Sequence, residues 1–98
     1  MDFAECSSRI TEKVGTESGL GAKLKFDCGS DGQIFVDGTA TPNTVTHSDA
    51  PADCTIKIAL ADLSALLDST LDPMTGFMTG RFTVEGDIGV ALKLQNVV

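Results

Sequence analysis

One histidine and seven basic side chains in 98 residues leave little from which to build a catalytic or phosphate-binding site. A hydrolase needs a nucleophile, a base and an oxyanion site. His47, at a predicted strand end or loop, has only Asp49 near it in sequence, too little for a triad. A net charge of −7 and an isoelectric point near 4.3 repel phosphate backbones and anionic headgroups, which are held by clustered Lys and Arg. No nucleic-acid partner is therefore expected, and membrane contact is at most transient. The three cysteines, Cys6, Cys28 and Cys54, are odd in number, far apart and never spaced Cys-x-x-Cys, which argues against a disulfide framework and against a thiolate metal site. Asp27, Asp31 and Asp37 lie around turns but lack the alternating loop and terminal Glu of an EF-hand. No glycine cluster ends in Gly-Lys-Ser/Thr, and Gly76-x-x-x-Gly80 lies in no apolar span. No apolar run approaches the ~20 residues of a bilayer crossing. The first residues, Met1-Asp2-Phe3-Ala4-Glu5, are acidic where a secretory signal is basic, so a cytoplasmic location is expected. No cofactor, metal or enzymatic activity is expected either.

What remains is an ordinary apolar fraction, 42% of residues, in a length that supports one core and hence a single domain over residues 1–98. Phe3, Ile10 and Val14 recur at helical spacing with Cys6 beside them, predicting a first helix that ends near Gly15. Ala22–Asp27 alternates apolar with charged residues, and after the turn-rich Cys28-Gly-Ser-Asp-Gly comes Gln33–Asp37, which completes a hairpin. Thr44–His47 is a weaker third strand, His47–Ala52 a loop, and Asp53–Ala59 a cleanly alternating fourth strand. Ala61–Asp68 places Leu63, Leu66 and Leu67 on one face of a second helix, with Asp62 in the first turn where the dipole favours an anion. Pro73 suits the start of a short third helix, Met74–Thr79, and Gly80 its left-handed cap. Arg81–Glu85 alternates as a fifth strand. Asp87 caps a final helix lined by Ile88, Ala91, Leu92 and Leu94. The order α-β-β-β-β-α-α-β-α suits an α+β fold: a five-stranded, mostly antiparallel sheet covered by helices on one face. Glycines punctuate three short apolar segments after Met74 that cannot shield one another from water, so binding something apolar is a better expectation than transforming it.

Ala52-Asp-Cys-Thr-Ile, Leu71-Asp-Pro and Phe77-x-x-Gly-x-x-x-x-x-Gly-Asp-x-Gly-x-Ala-x-Lys-Leu-Gln-Asn together resemble the sterol carrier protein type 2 domain, closely from Ala52 to Asn96 and more loosely from Gly21 to Ala50. The resemblance implies an apolar tunnel between sheet and helices that takes sterols, fatty acids, acyl-CoA thioesters or other lipids. Three departures stand out. The first helix is short for the family, Ser69 stands where the family often has glycine, and nothing after Asn96 resembles the extension that carries a peroxisomal address in some members, so no peroxisomal import is expected. The acidic charge also differs from members whose basic faces meet anionic membranes.

Read by themselves, Met74, Phe77, Met78, Phe82, Ile88 and Leu92, with Leu63, Leu66 and Leu67 and the strand residues Phe35, Ile56 and Ile58, make a core. The resemblance places them around a tunnel, where flexible methionines beside Phe77 suit varied ligands. Gln95, in the Leu-Gln-Asn signature, would hydrogen-bond a headgroup or cap the helix end; Lys93 reads as a solvated residue. A buried methylene contributes about 0.8 kcal/mol, so a sixteen-carbon chain gains on the order of 12 kcal/mol before several are lost on association, and no charged anchor is needed. A dry void of roughly 300 Å³ would cost around 7 kcal/mol, so a tunnel is expected to collapse or to hold a lipid. Two functions follow: a stand-alone lipid carrier, or an accessory protein docked on an enzyme of lipid or isoprenoid-quinone metabolism.

Overall fold

The computed structural model describes residues 2–15 and 18–98. Helix α1 spans Phe3–Val14, with the Asp2 carboxylate accepting from the Glu5 amide 2.8 Å away, and it ends at Gly15 with a positive φ of 57°. Strands β1 (Lys23–Asp27) and β2 (Gln33–Asp37) flank a 3₁₀ turn over Gly29–Asp31 and pair antiparallel as the expected hairpin. Strands β3 (Thr44–Thr46) and β4 (Cys54–Ile58) follow. Helices α2 (Leu60–Leu67) and α3 (Pro73–Met78) precede strand β5 (Phe82–Gly86), after which come α4 (Ile88–Ala91) and a 3₁₀ turn over Leu94–Asn96. The sheet order is β3-β2-β1-β4-β5, antiparallel throughout except for the parallel β1–β4 pair at its centre.

Strand alternation gives the sheet two chemically different faces. Leu24, Phe26, Ile34, Val36, Cys54, Ile56, Ile58 and Phe82 point to the helices and pack with Cys6, Ile10 and Val14 of α1 and Leu63 and Leu66 of α2. The opposite face carries Lys23, Lys25, Thr55, Lys57, Thr83 and Glu85, and Phe35 belongs to it by register, between Lys25 and Thr46. On that side the Lys25 ammonium donates to Asp49 (2.9 Å) and to the Ala50 carbonyl (3.3 Å), which draws the 48–52 loop across.

The last helix differs from its sequence reading. One α-turn forms, with Ala91 and Leu92 bonding Asp87 and Ile88, and beyond it i→i−3 bonds enter, Lys93 to Val90 and Val97 to Leu94. Gly89 is a poor helix former, and the tighter winding keeps Val90, Leu94 and Val97 buried together while the Lys93 ammonium reaches the Leu20 carbonyl at 3.3 Å.

Candidate functional site

Each of the last elements starts with its own local signal. Asp72 caps α3 by accepting from the Thr75 amide at 3.0 Å, with Pro73 at the first helical position. Gly80, at φ 75°, closes that helix, and the Arg81 amide bonds the Gly76 carbonyl at 2.9 Å. Asp87 caps α4 through the Gly89 amide at 2.8 Å. Arg81 then reaches back to Asp62 in the first turn of α2, 3.0 Å away, and pins the α3–β5 junction to α2.

Gly76 decides how closely α3 lies on β5. A methyl group there would come within 2.8 Å of the Phe82 ring and 3.3 Å of Leu71, so only glycine permits this approach. Phe77 leans over Phe82 with ring centroids 6.3 Å apart and planes tilted by 36°. The space left between α3, β5 and the 88–95 segment is a groove of about 230 Å³. Phe82 and Val84 floor it, Met74 and Phe77 form one wall, and Ile88, Ala91, Leu92 and Leu94 form the other; Asp72 and Gln95 supply its polar groups. It opens to solvent, for Met74, Phe77, Ile88 and Leu92 are 55%, 47%, 51% and 65% exposed. The penalty of a dry closed tunnel therefore does not arise.

The sequence-derived set divides three ways. Met74, Phe77, Phe82, Ile88, Leu92 and Gln95 meet at the groove. Ile56, Ile58, Leu63 and Leu66 are buried in the core among α1, α2 and the sheet, while Leu67 is half-buried beside Arg9, Lys13 and Ser69. Phe35 cannot reach the groove, because the sheet lies between them. Its neighbours Ile34 and Val36 are apolar too, so alternation gave no sign of which side faced inward. Met78 is on the groove's helix but outside its lining, and is 78% exposed. Val84, Ala91 and Leu94 line the groove without having been singled out as ligand contacts; their place on β5 and the final helix was the available signal. Lys93 is engaged with the Leu20 carbonyl.

Elsewhere the reactive groups are occupied. Ser7 Oγ lies 2.7 Å from His47 Nε2, and the His47 ring packs against Phe3 at 5.2 Å, but the Asp49 carboxylate is paired with Lys25 and does not orient the imidazole. Burial pushes the Cys28 thiol up to about 11 and raises Cys6 and Cys54 as well, which keeps all three protonated and unreactive near neutral pH. Asp27 accepts from the Gly29 amide and the Gln33 side chain, bonds that lower its pKa and fix the hairpin turn. No described helix is long and apolar enough to cross a membrane.

A family model, the SCP-2 sterol transfer family, matches residues 12–98. Sterol carrier protein 2 of Bos taurus is 43% identical over 60 residues, 61% of this chain and 10% of that protein. Stomatin-like protein 1 of Mus musculus is 36% identical over 87 residues, 83% of this chain and 22% of that protein. The chain thus spans only 10% to 22% of the length of these two curated relatives. The solution structure of palmitated SCP2L2 from Aedes aegypti has the same fold, with a TM-score of 0.71 at 24% identity over 99% of this chain and 94% of that one.

Proposed function

Because the chain belongs to the SCP-2 sterol transfer family, we propose that it is a non-catalytic carrier, working in the cytoplasm as one domain, that holds part of a sterol, fatty acid, acyl-CoA or similar lipid in the groove between α3, β5 and α4. The observation that carries this reading is the groove itself: about 230 Å³ walled by Met74, Phe77, Ile88 and Leu92, whose apolar surface faces water until something covers it. Lipid chains supply that cover without any charged anchor, and Gln95 at the rim offers a hydrogen bond to a headgroup. The proposed ligand contacts are therefore Met74, Phe77, Phe82, Val84, Ile88 and Leu92.

The test is organic-solvent extraction of the purified protein with identification of what comes out, together with native mass spectrometry and melting before and after delipidation. A stoichiometric lipid adduct and a melting temperature that rises on adding fatty acid are expected. No adduct and no shift would sink the carrier reading. A second reading, an accessory role beside an enzyme of lipid or isoprenoid-quinone metabolism, is supported by a likeness of fold to the UbiJ-SCP2 ubiquinone synthesis protein, with a TM-score of 0.59 at 18% identity over 95% of this chain and 74% of that one. A stable complex with such an enzyme in the absence of lipid would select it.

A further inference from the structure

Filling the groove does not account for all of the apolar surface at this end of the molecule. Met78 projects from α3 outside the groove lining, and at 78% exposure it is the most exposed of the large apolar side chains described. With Met74, Phe77, Ile88 and Leu92 it forms a lip that stays wet on its outer side even when a ligand occupies the inner one.

The extent and charge of this lip identify what it meets. Five partly exposed side chains amount to an apolar patch on the order of several hundred Å², which is at the upper end for a monomer surface. That is short of the roughly 800 Å² per partner of a stable protein–protein interface. The flanking charges are mostly negative or already paired: Asp72 and Asp87 cap α3 and α4, and Arg81 is held by Asp62 at 3.0 Å. Lys93 donates to the Leu20 carbonyl and keeps its charge, but it stands against the two carboxylates of Asp72 and Asp87. On a chain of net charge −7, such a lip gains little from anionic headgroups and is repelled by them at a distance.

We propose that this lip docks transiently on the zwitterionic surface of a phospholipid bilayer by inserting Met78, Phe77 and Leu92, so that lipid passes between bilayer and groove without electrostatic recruitment. The proposal rests on the carrier reading of the same groove, and its test separates the two. Flotation with phosphatidylcholine vesicles is compared with vesicles in which phosphatidylserine replaces part of the lipid, at low and high salt, alongside binding of a fluorescent fatty acid in solution without vesicles. The wild-type chain should float with phosphatidylcholine, less so with phosphatidylserine present, and added salt should raise or leave unchanged the fraction bound to the anionic vesicles. Met78→Ser should lower vesicle binding about tenfold while solution binding stays at the wild-type level, and Met78→Leu should restore flotation. Unaltered flotation of Met78→Ser would overturn the docking proposal, as would a preference for phosphatidylserine that salt abolishes. So would a wild-type dimer in sedimentation that Met78→Ser dissolves, since the lip would then be a protein interface. Loss of fatty-acid binding in solution by the wild-type chain would instead overturn the carrier reading, with the flotation series still deciding the docking.

Discussion

The length of chain that the groove can cover sets a measurable limit on affinity. Its volume is about 230 Å³. A water molecule takes up about 30 Å³ of liquid and a methylene is of similar size, so roughly seven or eight methylenes fit. Fully buried, each would contribute about 0.8 kcal/mol, or close to fourfold in affinity. The walls are about half exposed, so a gain nearer 0.4 kcal/mol, about twofold, marks the lower bound. Displacement of a fluorescent fatty acid by saturated acids of about six to about sixteen carbons, below their micellar concentrations, reads this directly. The dissociation constant should tighten by about two- to fourfold per methylene up to about eight carbons and then level off, the remainder of a longer chain staying outside the groove. A constant slope as far as palmitate would refute a groove of fixed size and mean that α3 swings away from β5 to open a longer channel. A series with no slope at all would show that the groove is not where the chain binds.

Gly76→Ala should trade about 1 kcal/mol of improved helix propensity against 1–3 kcal/mol of overpacking on the Phe82 ring, roughly. Urea unfolding should show a net loss of about 1 kcal/mol, with weaker fatty-acid binding as Phe82 is driven into the groove; full binding would mean that α3 does not rest on that ring. Ser69 sits in the left-handed region at φ 66°, where a Cβ is costly, so Ser69→Gly should raise stability by about 0.5–1 kcal/mol in thermal unfolding, and a loss would contradict the backbone geometry. The thiols set an alkaline limit. An unfolded Cys28 ionises near pH 9 while the folded one keeps its proton to about 11, so its contribution is complete below about pH 8.5 and is lost as pH rises through the folded value, by about 2 kcal/mol near pH 11. Denaturation at pH 8 and pH 10.5 measures the fall, and labelling of the native thiols at pH 8 as fast as free cysteine would dismiss it.

Much of this architecture was legible from residue order. Pro73 and Gly80 bracket α3, Asp87 starts α4, and alternation marks β1, β4 and β5 to within one residue at each end. Those signals are local: a cap, a fixed φ or a period of two acts within a few residues and does not depend on what the element packs against. Three matters were decided elsewhere. Phe35 fell on the far face because Ile34-Phe35-Val36 is apolar in both phases, and only pairing with Lys25 and Thr46 chose between them. The central β1–β4 pair is parallel because β3 runs in the same direction as β1 and the 47–53 segment carries the chain back before β4 enters. Last, the apolar residues after Met74 separate into core and groove. Periodicity tells which side of a helix turns inward, but the distance at which it comes to rest is set by contacts between residues far apart in the chain. Gly76 against Phe82 brings α3 down at one point, and Arg81 with Asp62 holds its end. Val90 and Val97 sink into the core while Leu92 is left at the surface, and the gap that remains is a property of the assembled fold.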